Sequence, residues 1–228
     1  MSSPEQAPER PPASRLFYLS EDLKDKKIDQ VVTLGVAGNG GSFSEQAARQ
    51  FQKDRAIAVI KVVYLITAEA VMRALDRGEI DYSVVATHNN HGGLAIENQE
   101  ALATHRWSPE TNIVLPVCHM LMTRPEAGRI LTIVTQPQAH EQCKETVKKM
   151  QGVKVISYPD TATAAKDLAD GTLAEKIPGL DLATTAVIGP EGCAALNGLV
   201  IRMRDVQDNK DNKTTFAIGK RYSGPSPT

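Results

Sequence analysis

Apolar residues along this chain fall alternately into short β-branched runs and longer stretches with helical spacing, beginning near residue 31. Residues 31–36 form a short apolar run. A glycine-rich loop follows, then a helical pattern over 42–51 in which Ser42 and Glu45 stand in capping-box spacing. Residues 56–66 are β-branched and apolar, Thr67 is placed to cap a helix through Leu75, Gly78 to end it, and 81–86 predict the next strand. Apolar runs at 113–122 and 130–134 precede a helix over about 140–150, a strand at 153–158, a helix at 161–169 and a strand at 185–189. Two last strands, 199–203 and 215–218, come with little helix between them.

This order predicts an α/β protein with largely parallel sheets. The stretch 113–134 lacks helices, so it is the natural crossing point between two lobes and a plausible antiparallel edge. A return near Cys193 gives lobe 1 as about 29–110 plus 195–222 and lobe 2 as about 111–194, with the cleft between them as the expected site. Residues 1–28 read as a flexible tail and lead-in: the first 13 hold few large apolar side chains to offset the entropy of ordering, and 15–29 read as a solvated helix or lead-in. Residues 223–228, with two prolines and a glycine, read as a frayed end.

At 228 residues and 41% hydrophobic, the chain can bury a core for one domain or two small lobes. Lys and Arg number 26 against 27 Asp and Glu, a formal charge of -1, so no global field draws the chain to nucleic acid or to an anionic membrane. A small molecule is the expected partner. Cys118, Cys143 and Cys193 form no CxxC pair, which argues against a disulfide framework or a thiolate zinc site and for a reducing cytoplasm. No apolar run approaches the length of a bilayer span and the N-terminal stretch lacks a signal-peptide core, so neither export nor anchoring is expected.

The candidate chemistry is spread along the chain. The loop from Gly38 to Ser42 lacks both the lysine of a P-loop and GxGxxG spacing, yet amides at a helix start can hold a carboxylate; the plainer alternative is a capped turn. His88, Asn89, Asn90 and His91 follow a strand. No third ligand accompanies the two histidines, so a metal is not expected, and donors and acceptors for a polar ligand, or a surface loop, are the better readings. His119, in an apolar run, reads as a packing position. Gln138, Thr161 and Thr163 stand at helix starts, where they can bind a ligand or simply cap. Thr214, at the start of the final strand, carries a hydroxyl able to donate to a leaving group. The cysteines have no basic partner and read as buried small hydrophobes.

Taken together, these motifs resemble the catalytic region of prephenate dehydratase, in the family's order, over about residues 31–220. The segment from Leu34-Gly35 through Ser42-Phe43-Ser44-Glu45-Gln46-Ala47-Ala48 is similar to the family's glycine-rich opening. Gln136-Pro137-Gln138 with Gln142-Cys143 resembles its His-Pro-Gln and Gln-Cys, residues 161–165 its Ser/Thr-rich helix start, and residues 212–216 its Asn-x-Thr-Arg-Phe. The resemblance implies a catalytic domain over 29–222 with two α/β lobes like a periplasmic binding protein. It also implies a homodimer, prephenate in the cleft and no cofactor. Thr214 takes the place of the motif threonine that assists departure of the ring hydroxyl. Ser42, Asn89, Asn90, Gln138, Thr161, Thr163, Thr215 and Phe216 are the implied substrate contacts.

The chain departs from the family pattern at three points. Thr215 replaces the motif arginine, His88 stands where the family has glutamate, and Gln136 replaces its histidine, so a bidentate carboxylate partner is missing. No regulatory domain of the kind that commonly follows the last motif is expected, and neither is feedback by phenylalanine. Loss of the glutamate and the arginine resembles the prephenate decarboxylases of specialised, antibiotic-type metabolism. The expected function is therefore non-aromatising decarboxylation of prephenate, with Thr214 and His88 catalytic. The alternatives are a dehydratase giving phenylpyruvate, carbon dioxide and water, a dehydratase for a related hydroxy acid, or a non-catalytic small-molecule binder.

Overall fold

The computed structural model describes residues 15–19 and 31–224. The expected loose tail over 1–13, most of the lead-in and residues 225–228 lie outside the described residues.

The chain runs β1 (Arg15–Leu19), β2 (Val31–Val36), α1 (Phe43–Asp54), β3 (Val59–Tyr64), α2 (Ala68–Asp76), β4 (Tyr82–Asn89), β5 (Gly93–Leu94), α3 (Ile96–Thr104) and β6 (Trp107–Pro116). It then enters a second lobe with β7 (Met120–Thr123), β8 (Thr132–Thr135), α4 (Pro137–Gln142), α5 (Lys144–Lys148), β9 (Lys154–Ser157), α6 (Thr161–Asp170) and α7 (Thr172–Lys176). That lobe continues through β10 (Thr185–Gly189), α8 (Glu191–Asn197) and β11 (Val200–Met203) before β12 (Lys213–Arg221) rejoins the first. The first sheet has the order β1-β3-β2-β4-β12-β6, with β5 against β4, and the second β11-β7-β10-β8-β9.

Both sheets are mixed, which corrects the expectation of largely parallel sheets. β2 lies parallel to β3 and β4, and β8 parallel to β9 and β10, because helices make those crossovers. β12 instead runs antiparallel between β4 and β6, and β7 antiparallel between β10 and β11. β1 pairs antiparallel with the edge of β3 where a solvated helix or lead-in was expected. Five residues carry too short a pattern to declare a strand without the edge that receives them.

Helix α1 is capped by Ser42, whose Oγ accepts weakly from the Glu45 amide at 3.4 Å. The Glu45 carboxylate reaches back one residue further than a capping box, accepting from the Gly41 amide and from the Tyr64 hydroxyl, each at 2.7 Å. On the apolar side of α1, Ala47, Ala48 and Phe51 share a buried cluster with Leu34, Ile60 and Phe216. Full burial of a phenylalanine of this kind stabilises by about 1.5–3 kcal/mol. The second core gathers Ala162, Ala165 and Leu168 of α6 with Met122, Val134 and Val187 of its sheet. The expected helix over 140–150 is two short helices, because Pro137 starts it early and Cys143, at φ -118°, interrupts it.

Sheet pairing puts the crossings between lobes later than the expected boundaries near 110 and 194. β6 stays with β12 through Pro116, and α8 and β11 remain with the second lobe. The two crossing segments lie side by side: the Val117 amide donates to the Asn212 carbonyl at 2.8 Å and the Val206 amide to the His119 carbonyl at 2.9 Å. His119 and Asn212 therefore sit on the double strand that joins the lobes.

Candidate active site

A cavity of about 290 Å³ opens between the lobes. Its first-lobe wall includes Phe43, His88, Asn89, Gly92, Ala95, Asn98 and Thr214, and its second-lobe wall Gln136, Gln138, Gln142 and Thr161, with Val117 and His119 from the crossing. Of the sequence-based candidates, the cavity brings together Thr214, His88, Asn89, Gln138 and Thr161.

Asn89 is the hub. It ends β4 opposite Thr214 of β12 and is buried. Its side-chain N–H groups are shared among Thr214 Oγ1 at 2.9 Å, Asn212 Oδ1 at 2.8 Å and the Lys213 carbonyl at 3.2 Å. Its Oδ1 accepts from the Gly92 and His91 amides at 2.7 and 3.0 Å, which folds the loop over the cavity. Because the Thr214 oxygen accepts from Asn89, its own O–H remains available to donate to a guest. Just below, the β4–β12 register slips between Thr215 and Phe216, leaving Thr87 opposite no residue. Bulges of this kind re-aim strand ends beside a site.

The lining carries no carboxylate and no ammonium or guanidinium. What it offers an anion is helix starts: Phe43 begins α1, Ala95 caps α3, Gln136 caps α4 and Thr161 begins α6. Neither Ala95 nor Gln136 caps with its side chain, so amides there are left for other acceptors. Each helix end favours an anion by about 0.3–1 kcal/mol when exposed, and by more when partly buried.

Five candidates lie elsewhere. Ser42 caps α1 and lines a separate cavity of about 640 Å³ with Glu45, Arg49, Leu115, Cys118 and Glu191. Asn90 is exposed and clasps the approach to β12, donating to the Asp211 carbonyl and accepting from the Lys213 amide, both at 2.7 Å. Thr163 Oγ1 accepts from Asn39 at 2.7 Å while bonding the Asp160 carboxylate, so it ties one lobe to the other. Thr215 is outside the lining, and its carbonyl accepts from Thr87 Oγ1 at 3.2 Å. Phe216 is core. Alternation along β12 sends Thr214 and Thr215 to opposite faces, so the arginine-to-threonine change falls outside the cavity wall.

His119, read from sequence as a packing position, lines the cavity and is only 3% exposed. Burial pushes its imidazole below the usual histidine range, so it is neutral near pH 7. Its ring meets the Phe43 ring edge-on at 5.6 Å, and Nε2 lies 2.8 Å from Gln142 Oε1. Gln142, matched in sequence to the family's Gln-Cys but not named there as a site residue, joins the cavity wall only in the structure. Burial pushes the Cys143 and Cys193 thiols up to about 12, so both stay protonated. Among the described residues no group of three or more His, Cys, Asp or Glu could hold a metal, and no helix is long and apolar enough to cross a membrane.

Residues 34–223 match the family model "Prephenate dehydratase". Arogenate dehydratase 1 of Petunia hybrida is 29% identical over 192 residues, covering 82% of this chain and 42% of the relative. Prephenate dehydratase of Amycolatopsis methanolica is 29% identical over 191 residues, covering 81% and 56%. The chain spans about half the length of these curated relatives. The crystal structure of prephenate dehydratase from Arthrobacter aurescens, in complex with L-Phe, superposes with a TM-score of 0.70 at 24% identity, covering 86% of this chain and 63% of that one, and establishes the two-lobed fold. These matches overturn the expectation of a non-aromatising decarboxylase, since the family model and both curated relatives are dehydratases. The substitutions at 88 and 215 that prompted it leave the Asn89–Thr214 pair in place. The chain belongs to the prephenate dehydratase family.

Proposed function

We propose that this chain is a lyase that removes carbon dioxide and water from prephenate to give phenylpyruvate. One observation carries the reading: the Thr214 hydroxyl, oriented by Asn89 at 2.9 Å, sits in the wall of an interlobe cavity ringed by helix starts. Family membership supports the same chemistry. Arogenate, named for several relatives, is the second substrate to test.

The reaction breaks the bond from the ring to its carboxylate, and that electron pair moves through the ring as the C–O bond to the hydroxyl opens. Carbon dioxide leaves, the departing hydroxyl takes up a proton to become water, and the ring becomes aromatic. We assign Thr214 the hydrogen bond to the departing oxygen, which stabilises the negative charge developing there. His88, the exposed titratable side chain of the lining, exchanges the net proton with solvent. Gln138, Thr161 and the amides at the starts of α3 and α4 hold the carboxylates, in place of a guanidinium. A homodimer in the cytoplasm is part of this proposal, to be checked by light scattering and cell fractionation.

Purified protein incubated with prephenate at neutral pH is expected to release phenylpyruvate, identified by ultraviolet absorbance and mass. A product that keeps the ring hydroxyl, or no consumption of either prephenate or arogenate, overturns the reading.

A further inference from the structure

We infer that His119 is a positioning residue for this site, its Nε2–H holding Gln142 so that the glutamine amide N–H₂ is the end presented to a substrate carboxylate. The inference rests on reading the interlobe cavity as the reaction site, and on three observations.

First, His119 and Gln142 both line the cavity, and their contact spans the crossing: His119 lies on the linking strand and Gln142 ends α4 of the second lobe. Second, His119 is fixed at its backbone and along one edge of its ring. Its backbone N–H donates to Gln207 Oε1 at 2.8 Å, its carbonyl accepts from Val206 at 2.9 Å, and Phe43 packs against its ring. A ring so fixed can orient a partner without paying much further entropy.

Third, Nδ1 is buried and has no hydrogen-bond partner. That atom decides the tautomer. A proton on Nδ1 would leave a buried donor unsatisfied, whereas a bare Nδ1 lone pair is the milder loss, so the proton belongs on Nε2. Nε2–H at 2.8 Å from Gln142 then requires the glutamine oxygen to face the ring. The donor end of the amide is then the end not engaged by His119, on a side chain that lines the cavity. A neutral lining thereby gains two N–H groups of fixed direction, the kind of partner a dianion needs where no cation stands.

Imidazole ¹⁵N spectra at neutral pH and steady-state kinetics test this together. The wild type is expected to show His119 as the Nε2–H tautomer, and Gln142→Leu to lose that signature. An Nδ1–H tautomer, or spectra indifferent to Gln142→Leu, overturns the inference. With prephenate, His119→Leu is expected to lower kcat/KM by about 10- to 100-fold. His119→Gln, which keeps a donor near Nε2, should recover most of that loss, and His119→Leu combined with Gln142→Leu should cost no more than either alone. Losses that add, or no rescue by glutamine in a protein of unchanged circular dichroism, overturn it as well. The spectra need no turnover, so an inactive wild type would count against the proposed reaction while the tautomer still decides the role of His119.

Discussion

Asn89 donates its side-chain amide to the Thr214 hydroxyl across two neighbouring strands, at 2.9 Å and 125 positions apart in sequence. The hydroxyl proton of Thr214 is thereby left available to donate within the cavity that the residue lines. Thr214→Ala is expected to lower kcat on prephenate by about 100-fold or more with little change in Tm, while Thr214→Ser retains most activity. Equal rates for Thr214→Ala and the wild type would remove this residue from the reaction. Asn89→Ala should damage both properties, because it removes the partner of buried Asn212 and of the His91 and Gly92 amides, at a cost of about 1–3 kcal/mol.

Gly41 sits at φ +84°, and a Cβ there would come within 2.8 Å of the Cys193 N and Cα atoms of the opposite lobe. The clash is with backbone, which cannot swing aside. Gly41→Ala is expected to cost about 1–2 kcal/mol for the left-handed conformation alone, with a further loss from prising the lobes apart. Urea denaturation measures the first, and small-angle scattering should detect a more open molecule.

Phe216 is 2% exposed, lies in the core and is outside the cavity lining, although it stands two residues from Thr214. Phe216→Ala should destabilise by about 3–5 kcal/mol through lost burial and a cavity beneath α1. At a temperature where the variant remains folded, KM should stay within about twofold of the wild type. A large change in KM with unchanged stability would restore Phe216 to the site.

Two histidines pull the pH dependence of stability in opposite directions. Asp76, with Nδ1 2.5 Å from its carboxylate, and Glu69 raise His105 above the unfolded value of about 6.5. Its contribution is thus complete below about pH 6.5 and is lost as pH rises through the raised folded value. Burial lowers His119, so the folded state resists a proton that the unfolded state accepts, and stability falls as pH drops below about 6.5. Denaturant midpoints should accordingly differ between His105→Gln and wild type at about pH 6 and converge by about pH 9. A gap that widens with pH would reverse the assignment for His105.

Most strands and several helices were legible because their period shows in five to twelve residues: β2, β3, α1, α2, α6 and β10 stand close to where apolar spacing put them. α3 was not read, since its cap is Ala95 with no side-chain bond and only Ala101 and Leu102 are buried along it. Within the site, Thr214, Asn89 and Gln138 could be named from motif positions. Ser42, Asn90, Thr163, Thr215 and Phe216 looked equivalent to them in sequence, yet they serve as a cap, a clasp, a lobe contact, a strand partner of Thr87 and a core residue respectively.

What the chain alone determined is the alternation of elements, the family pattern and the set of neutral polar residues from which a site could be drawn. These are local properties, set by backbone preference and side-chain spacing within a few residues. Which of those residues share a cavity depended on the antiparallel insertion of β12, the bulge below Thr214 and the paired crossing at Val117 and His119. Such contacts join positions about a hundred residues apart, and their direction is settled by packing and hydrogen-bond satisfaction across the whole fold, which no local pattern records.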